Sequence, residues 1–150
     1  MRKKGKMTTY KSIGGCHCGN IKFEMEIALE PSSYNPRACD CEFCSKHGAM
    51  YISDKNGKLI ISVKNETNLS KYQQGSGIAD FLICKKCGVL VGVCYEKQDE
   101  LYAAINSKAV DRSTNFGQEI VVSPKELNDH EKTQRWRDIW FSEVKIKHVN

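Results

Sequence analysis

Eight cysteines, most of them in closely spaced groups, constrain this 150-residue chain more than any other feature. Two cysteines separated by one or two residues can direct their sulfur atoms to one side of a tight turn, where a single metal ion can be held by both. Structural disulfides are rare in a reducing cytosol, so clustered cysteines there favour metal or catalytic sites. The groups are Cys16 and Cys18; Cys39, Cys41 and Cys44; Cys84 and Cys87; and Cys94 alone.

The pair Cys84 and Cys87 is followed by Gly88, which is typical of a zinc knuckle. The glycine allows the backbone a positive φ angle and lets amide N–H groups point at the sulfur atoms. A knuckle supplies two ligands, whereas a structural zinc ion takes four. Cys16 and Cys18 form a second pair flanked by glycine. We therefore predict a four-thiolate site from these two pairs, which would join the first strand region to the middle of the chain.

The remaining group, Cys39, Cys41 and Cys44, forms a local trio. Three protein ligands with an open fourth position are typical of catalytic zinc, and four protein ligands are typical of structural zinc. His47 lies three residues after Cys44 and is the candidate for a fourth ligand. A closed site of three cysteines and one histidine is therefore an alternative to an open, functional site. The side chains predicted to line the approach are Asp40, Glu42 and Lys46.

Other reactive or aromatic residues have simpler interpretations. Cys94 lies within an apolar run, so we predict a small buried side chain whose thiol has a raised pKa. Trp136 and Trp140 are four residues apart and are predicted to pack one face of a helix. The histidines predicted to be ordinary surface or loop residues are His17, His130 and His148.

The pattern of apolar residues predicts a mainly β fold. In residues 20–27, apolar side chains alternate with charged ones, which is typical of a strand with one buried face. Asn56-Gly57 favours a tight turn and predicts a hairpin over about residues 50–59. The predicted strands are residues 20–27, 49–53, 59–63, 78–83, 89–95, 101–106 and 119–122.

Helical signals are few. Ser123, Pro124 and Glu126 predict that a helix begins there, and we expect it to continue to about Trp140. Residues 41–47 are predicted to form one short helical turn.

The basic charge of the chain is concentrated at its start. Residues 1–12 contain five basic and no acidic side chains, and the other residues contain 18 of each, so the net charge of +5 belongs to this segment. We predict a flexible basic tail over residues 1–12 and a single zinc-binding domain over residues 13–145, with residues 145–150 frayed.

This charge distribution and the short apolar runs limit the expected partners. Nucleic-acid binding needs a basic surface on the folded body, so we do not expect a nucleic-acid partner. The apolar runs fall far short of the ~18 residues that span a bilayer, so no membrane partner is expected. No apolar segment follows the basic start as in a secretory signal, and we therefore expect a cytoplasmic location.

The motifs, taken in order, resemble the glutathione-dependent formaldehyde-activating family, also called the centromere protein V family. The resemblance covers about residues 12–125 and implies an Mss4-like fold of small, coiled antiparallel β-sheets around zinc with one or two short helices. It implies that Cys16, Cys18, Cys84 and Cys87 hold a structural zinc ion and that the trio holds a second, functional one. The motifs that carry it are Gly15-Cys-His-Cys-Gly19, Cys39-Asp-Cys-Glu-Phe-Cys44 followed by Gly48-Ala49, and Phe81 with Cys84-Lys-Lys-Cys-Gly88.

The resemblance also implies an activity, the condensation of formaldehyde with glutathione to S-(hydroxymethyl)glutathione by a carbon–sulfur lyase. We therefore expect a zinc enzyme that acts on glutathione or on another small-molecule thiol adduct. Two alternatives are a non-enzymatic zinc scaffold that binds a partner and a redox or zinc-sensing module, because thiolates are oxidisable. The fourth ligand of the second zinc ion separates them: an open position favours chemistry, and His47 favours a scaffold.

Overall fold

The structure, a computed structural model, describes residues 8–149. These residues form a mainly β fold, as predicted, with two sheets and two α-helices. The strands are β1 (Tyr10–Gly15), β2 (Ile21–Ile27), β3 (Arg37–Cys39), β4 (Met50–Ile52), β5 (Lys58–Val63), β6 (Leu69–Tyr72), β7 (Asp80–Cys84), β8 (Leu90–Lys97), β9 (Glu100–Asn106), β10 (Ile120–Val122) and β11 (Glu143–His148). The helices are α1 (Glu42–His47) and α2 (Asp129–Ile139).

The strands pair into a four-stranded sheet, β1-β2-β5-β11, and a seven-stranded sheet, β10-β3-β4-β9-β8-β7-β6. Most neighbours are antiparallel, as the small coiled sheets of the predicted fold require. Two pairs are parallel, β11 with β5 and β10 with β3, and both lie at sheet edges. The fold class is therefore a small β fold consistent with the Mss4-like architecture.

The main core lies between the two sheets. Along β2, Ile21, Phe23, Met25 and Ile27 are buried while the residues between them are exposed or half-buried, which confirms the predicted alternation. These side chains pack with apolar residues of β5 and of the seven-stranded sheet. Burying one such side chain stabilises a fold by about 1.5–3 kcal/mol, so this interface is a major source of stability.

A second core covers the opposite face of the seven-stranded sheet. Central strand β8 contributes Val91 to the core between the sheets and Val93 to this second core. Trp140, directly after α2, packs on the same face as Val93. A strand buried on both faces is apolar throughout, which explains the continuous apolar run that the sequence shows there.

The hairpin predicted over residues 50–59 is wrong. The turn exists, since the Gly57 N–H donates to the Asp54 carbonyl at 3.0 Å, but β4 and β5 belong to different sheets. Gly57 has no positive φ angle; instead, a Cβ there would lie 2.3 Å from the Glu26 carbonyl oxygen. The glycine therefore allows a close approach of two chain segments, and the turn passes the chain from one sheet to the other.

The predicted helix start at Ser123 is also wrong. Residues Pro124–Glu126 form a single 3-10 turn, and α2 begins after Asn128. The Asn128 side chain accepts a hydrogen bond from the Glu131 N–H, and the Glu131 carboxylate accepts one from the Asn128 N–H, which is a capping box. This capping signal is stronger than the one at Ser123 and lies five residues after it in the sequence.

The predicted domain bounds differ from the strand bounds at both ends. Residues 1–7 of the predicted tail lie outside the described residues, but residues 10–12 belong to β1, where Ser12 pairs with Met25. Residues 145–148, predicted to be frayed, belong to β11 and pair in parallel with β5. Within residues 8–149, no helix is long and apolar enough to cross a membrane.

Candidate metal centres and the adjoining cavity

The four-cysteine cluster lies where the ends of the two sheets meet. Cys16 directly follows β1 of the smaller sheet, and Cys84 is the last residue of β7 of the larger one. Cys18 and Cys87 lie in the turns that follow these strands. The four sulfur atoms all lie within 4.8 Å of one another, so the structure brings together the four residues that the sequence analysis grouped.

Backbone amides surround the sulfur atoms of this cluster. The Ile21 N–H donates a hydrogen bond to Cys16 Sγ at 3.2 Å. In the turn after Cys84, the Gly88 N–H donates to the Cys84 carbonyl at 2.8 Å, and Gly88 has a φ angle of 83°. Burial acts to raise the pKa of Cys87, but amide donors outweigh it and lower that pKa to about 6. Burial raises the pKa of Cys16 to about 11, so within this cluster Cys87 is the residue that favours the thiolate, the form in which cysteine binds metals.

The sulfur separations fit a zinc ion. Tetrahedral zinc with Zn–S bonds of about 2.3 Å requires sulfur atoms about 3.8 Å apart. The Sγ atoms of Cys16 and Cys18 lie 3.7 Å apart, and those of Cys18 and Cys84 lie 3.5 Å apart. Four thiolates at these separations match the donor set of structural zinc. This cluster can hold a metal ion.

The second cluster is formed by a single short segment. Cys39 ends β3, Cys41 precedes α1, and Cys44 lies within α1, and their sulfur atoms are within 4.8 Å of one another. The Cys44 N–H donates to Cys41 Sγ at 3.4 Å, so Cys41 caps the helix with its own ligand atom. This cluster can also hold a metal ion.

The trio favours a thiolate at Cys39. A hydrogen bond from the Cys44 thiol lowers the pKa of Cys39 to about 6, and the same bond, followed by burial, raises the pKa of Cys44. The Tyr51 hydroxyl lies 3.2 Å from Cys44 Sγ, and burial keeps it protonated by raising its pKa. Tyr51 can therefore donate a hydrogen bond to a thiolate at Cys44.

The structure does not bring His47 into this cluster. His47 is exposed at the end of α1, and its ring packs against Phe43 with the ring centres 4.7 Å apart. A polar side chain that does contact the trio is Gln74, whose amide nitrogen lies 3.8 Å from Cys41 Sγ. Within residues 8–149, the trio therefore has three metal-ligating side chains and no fourth.

A cavity of about 130 Å³ opens beside the trio, and all three cysteines line it. One water molecule needs only about 10–15 Å³ of such space, so the cavity can hold the reacting end of a small organic molecule. Its apolar walls include Phe81, Trp136 and Trp140. The two indoles stack with centres 4.8 Å apart, so the tryptophans that were predicted to pack a helix face also line the cavity.

Sequence reasoning missed the charged residues of this cavity. Asp40, Glu42 and Lys46, predicted to line the approach, are not among the lining residues in the described part of the chain. The basic side chains that do line it are Arg37, Lys125, Lys132 and Arg135. Three of them come from residues 125–135, more than 80 positions from the trio, and only the packing of α2 shows that they are neighbours.

Arg37 is the most enclosed of these cations. Burial, and then the charge of Arg135, lower the pKa of Arg37 to about 10, so it remains charged at neutral pH. Its guanidinium donates to Ser53 Oγ at 2.6 Å, and Ser53 donates to the Ile139 carbonyl at 2.7 Å. Arg37 is therefore held between β3, the end of β4 and the end of α2.

The remaining residues singled out in the sequence lie elsewhere. Cys94 is 5% exposed in the core between the sheets, and burial raises its pKa to about 12. His148 lies 2.8 Å from the Glu66 carboxylate, and His17 and His130 are exposed. None of these four side chains belongs to either cysteine cluster.

Comparisons with known proteins identify relatives of this chain. The profile of the family described as "Glutathione-dependent formaldehyde-activating enzyme" matches residues 11–140. The crystal structure of a Rhodobacter sphaeroides protein is similar, with 24% sequence identity and a TM-score of 0.49. The match covers 78% of this chain and 95% of that one.

Proposed function

Because the chain belongs to the glutathione-dependent formaldehyde-activating enzyme family, we propose that it is a zinc-dependent enzyme of the carbon–sulfur lyase type. It acts on glutathione or on another thiol adduct, in the manner of an S-(hydroxymethyl)glutathione synthase. One observation carries this proposal: the trio, which has no fourth protein ligand in residues 8–149, faces a cavity with room for a small molecule. An open fourth position is typical of catalytic rather than structural zinc.

Two zinc ions per chain divide the work in this proposal. Cys16, Cys18, Cys84 and Cys87 hold the structural ion, and Cys39, Cys41 and Cys44 hold the functional one. The functional ion, when bound, supplies a Lewis acid that lowers the pKa of a thiol. Glutathione is a co-substrate and not a resident cofactor.

The residues around the trio orient the reactants. Tyr51 holds Cys44 from β4 through the 3.2 Å contact, and Gln74 contacts Cys41 from the opposite loop. Phe81 and Trp140 form apolar walls of the cavity, which favours apolar groups over water there. The thiol sulfur forms one bond to the carbonyl carbon of formaldehyde, and the thiol proton ends on the new hydroxyl oxygen. No oxidant or reductant is needed.

Zinc-edge X-ray absorption of the zinc-loaded protein tests the site directly. Addition of millimolar glutathione is expected to add one Zn–S ligand at the second ion, which raises the average number of sulfur ligands over the two ions by one half. Exchange NMR with labelled formaldehyde should show S-(hydroxymethyl)glutathione forming faster than in buffer. Cys41→Ser should abolish both effects, whereas Cys94→Ala, which changes a cysteine outside both clusters, should leave both.

Two results would overturn the enzyme proposal. If glutathione left the zinc edge unchanged and the adduct formed no faster than in buffer, the thiol would not bind at this site. A nitrogen ligand that disappears in His47→Ala would show a closed site and favour the scaffold alternative.

A reducing cytoplasm, the predicted location, keeps both the substrate thiol and the cysteine ligands in the required form.

A further inference from the structure

The cavity beside the trio has an excess of positive charge. Four basic side chains line it, and no acidic side chain in residues 8–149 does. Lys125 is paired with Asp40, its amine nitrogen 3.9 Å from the carboxylate. In the described part of the chain, the other three cations, Arg37, Lys132 and Arg135, form no ion pair with a carboxylate.

The cysteine cluster does not balance these charges. A zinc ion with three thiolates carries a single negative charge. Three unpaired cations around one such cluster leave an excess of two positive charges. Partly buried charges without partners cost stability, so an anionic ligand with about two negative charges would complete the cavity. A thiolate that also carries a carboxylate has this charge.

Local structure directs these cations toward the trio. Arg37 and Cys39 are two residues apart on β3, and residues at this spacing lie on the same face of a strand. Lys132, Arg135 and Trp136 lie at i, i+3 and i+4 on α2, the spacing of one helix face. The strand and the helix therefore each contribute a guanidinium to the lining of one cavity, to which the Trp136 indole also belongs.

We propose that Arg37, Lys132 and Arg135 form a carboxylate-recognition site that makes this cavity specific for thiols bearing a carboxylate. The proposal rests on the proposed function, because it assumes that the thiol of the same molecule reaches the trio. Guanidinium groups suit this role, since their planar arrangement of donors matches the two oxygens of a carboxylate. The indoles of Trp136 and Trp140 contact the apolar part of the ligand.

Two small thiols of similar size separate charge recognition from thiol binding. Isothermal titration of the zinc-loaded full chain should show 3-mercaptopropionate binding at least about ten-fold more tightly than 2-mercaptoethanol. Arg135→Gln should weaken 3-mercaptopropionate about ten-fold and 2-mercaptoethanol less than two-fold. Lys132→Gln should also weaken 3-mercaptopropionate more than 2-mercaptoethanol. Lys132 is chosen over Arg37 as the second variant because Arg37 also donates a hydrogen bond to Ser53, so its replacement would disturb the structure.

Arg137→Gln is the matched control, because Arg137 lies on the same helix, bonds to Gln134 and does not line the cavity. It should leave the affinity for both thiols unchanged. Equal affinity of the wild-type protein for the two thiols would overturn the proposal. So would an equal loss for both thiols in Arg135→Gln, since that would show the arginine acting only through the charge of the cysteine cluster.

A ligand without a free thiol makes the result independent of the enzyme proposal. S-methylglutathione keeps both carboxylates but cannot supply a thiolate. Its binding to the wild-type protein, with a loss in Arg135→Gln and not in Arg137→Gln, would support the carboxylate site even when no thiol alters the zinc edge. If S-methylglutathione did not bind, the carboxylate site would be overturned. The proposed enzyme function would remain supported if a thiol still changed the zinc edge.

Discussion

The two cysteine clusters use the same ligand atom but connect very different parts of the chain. In the first, Cys18 and Cys84 are 66 positions apart, and their sulfur atoms lie 3.5 Å from each other. They lie at the ends of different sheets. In the second, Cys39 to Cys44 form one continuous segment beside a cavity.

This difference in sequence separation teaches what each site can contribute. A cross-link between distant residues removes much of the freedom of the unfolded chain and thereby stabilises the fold. A cross-link within six residues closes a short loop and constrains little beyond the local turn. In the proposed function, its contribution is to present a metal ion to the cavity, so that the first cluster supports the fold and the second provides the chemistry.

Cys84→Ser is expected to have the largest effect. Structural zinc in small domains contributes about 10–16 kcal/mol, which is as large as the whole net stability of a typical domain. The variant should therefore lose its cooperative thermal transition by circular dichroism. Cys94→Ala, a change in the core outside both clusters, should keep the transition at a lower temperature. A folded Cys84→Ser variant would contradict the structural role of the four-cysteine cluster.

Cys41→Ser should destabilise the fold less than Cys84→Ser does, but it should abolish metal binding at the trio. Because the trio closes only a local loop, the thermal transition should remain cooperative. Metal analysis should find one zinc ion per chain in this variant and two in the wild-type protein. Global unfolding of this variant would contradict the division of roles between the clusters.

Stepwise chelation of zinc should distinguish the two clusters within one sample of wild-type protein. The site with three protein ligands is expected to release its ion before the site with four, because it has fewer thiolates and opens to the cavity. A chromogenic chelator should report two phases of equal amplitude. The circular dichroism spectrum should change only in the second phase. A change during the first phase would show that the trio, and not the four-cysteine cluster, supports the fold.

Tyr51→Phe should have the smallest effect and should be confined to the trio. The substitution removes the hydroxyl 3.2 Å from Cys44 Sγ, and a hydrogen bond of this kind contributes about 0.5–1.5 kcal/mol. The zinc affinity of the second site should fall by up to about ten-fold, with no change at the first. Competition with a calibrated chelator measures both. Tyr102→Phe, which removes a hydroxyl bonded to Glu100, is the control.

Local patterns in the sequence predicted much of the fold. The alternation in β2, the apolar run in β8 and the short turn at α1 are determined by neighbouring residues, and each was predicted close to its observed bounds. Among the strands that were missed, β11 depends on a distant partner. β11 is a half-exposed edge strand that pairs in parallel with β5, and no local signal marks that pairing.

The candidate site shows the same limit. The cysteine spacings were enough to group seven residues into two clusters, because the ligands of one metal ion recur at short, characteristic distances. Arg37, Lys132 and Arg135 have no such spacing, and they become neighbours only when α2 packs over the seven-stranded sheet. The helix face that carries two of them follows from the capping box at Asn128, which would have placed the helix correctly.

The separation of the ligands along the chain also sets an order in time during synthesis. The last ligand of the trio is Cys44, whereas the four-cysteine cluster lacks two ligands until Cys84 and Cys87 have been made. At about 5–20 residues per second, the 43 residues from Cys44 to Cys87 take roughly 2 to 9 seconds. Under the proposed division of roles, we expect the ligands of the functional ion to emerge first from the ribosome and to encounter zinc before the structural ion can be bound.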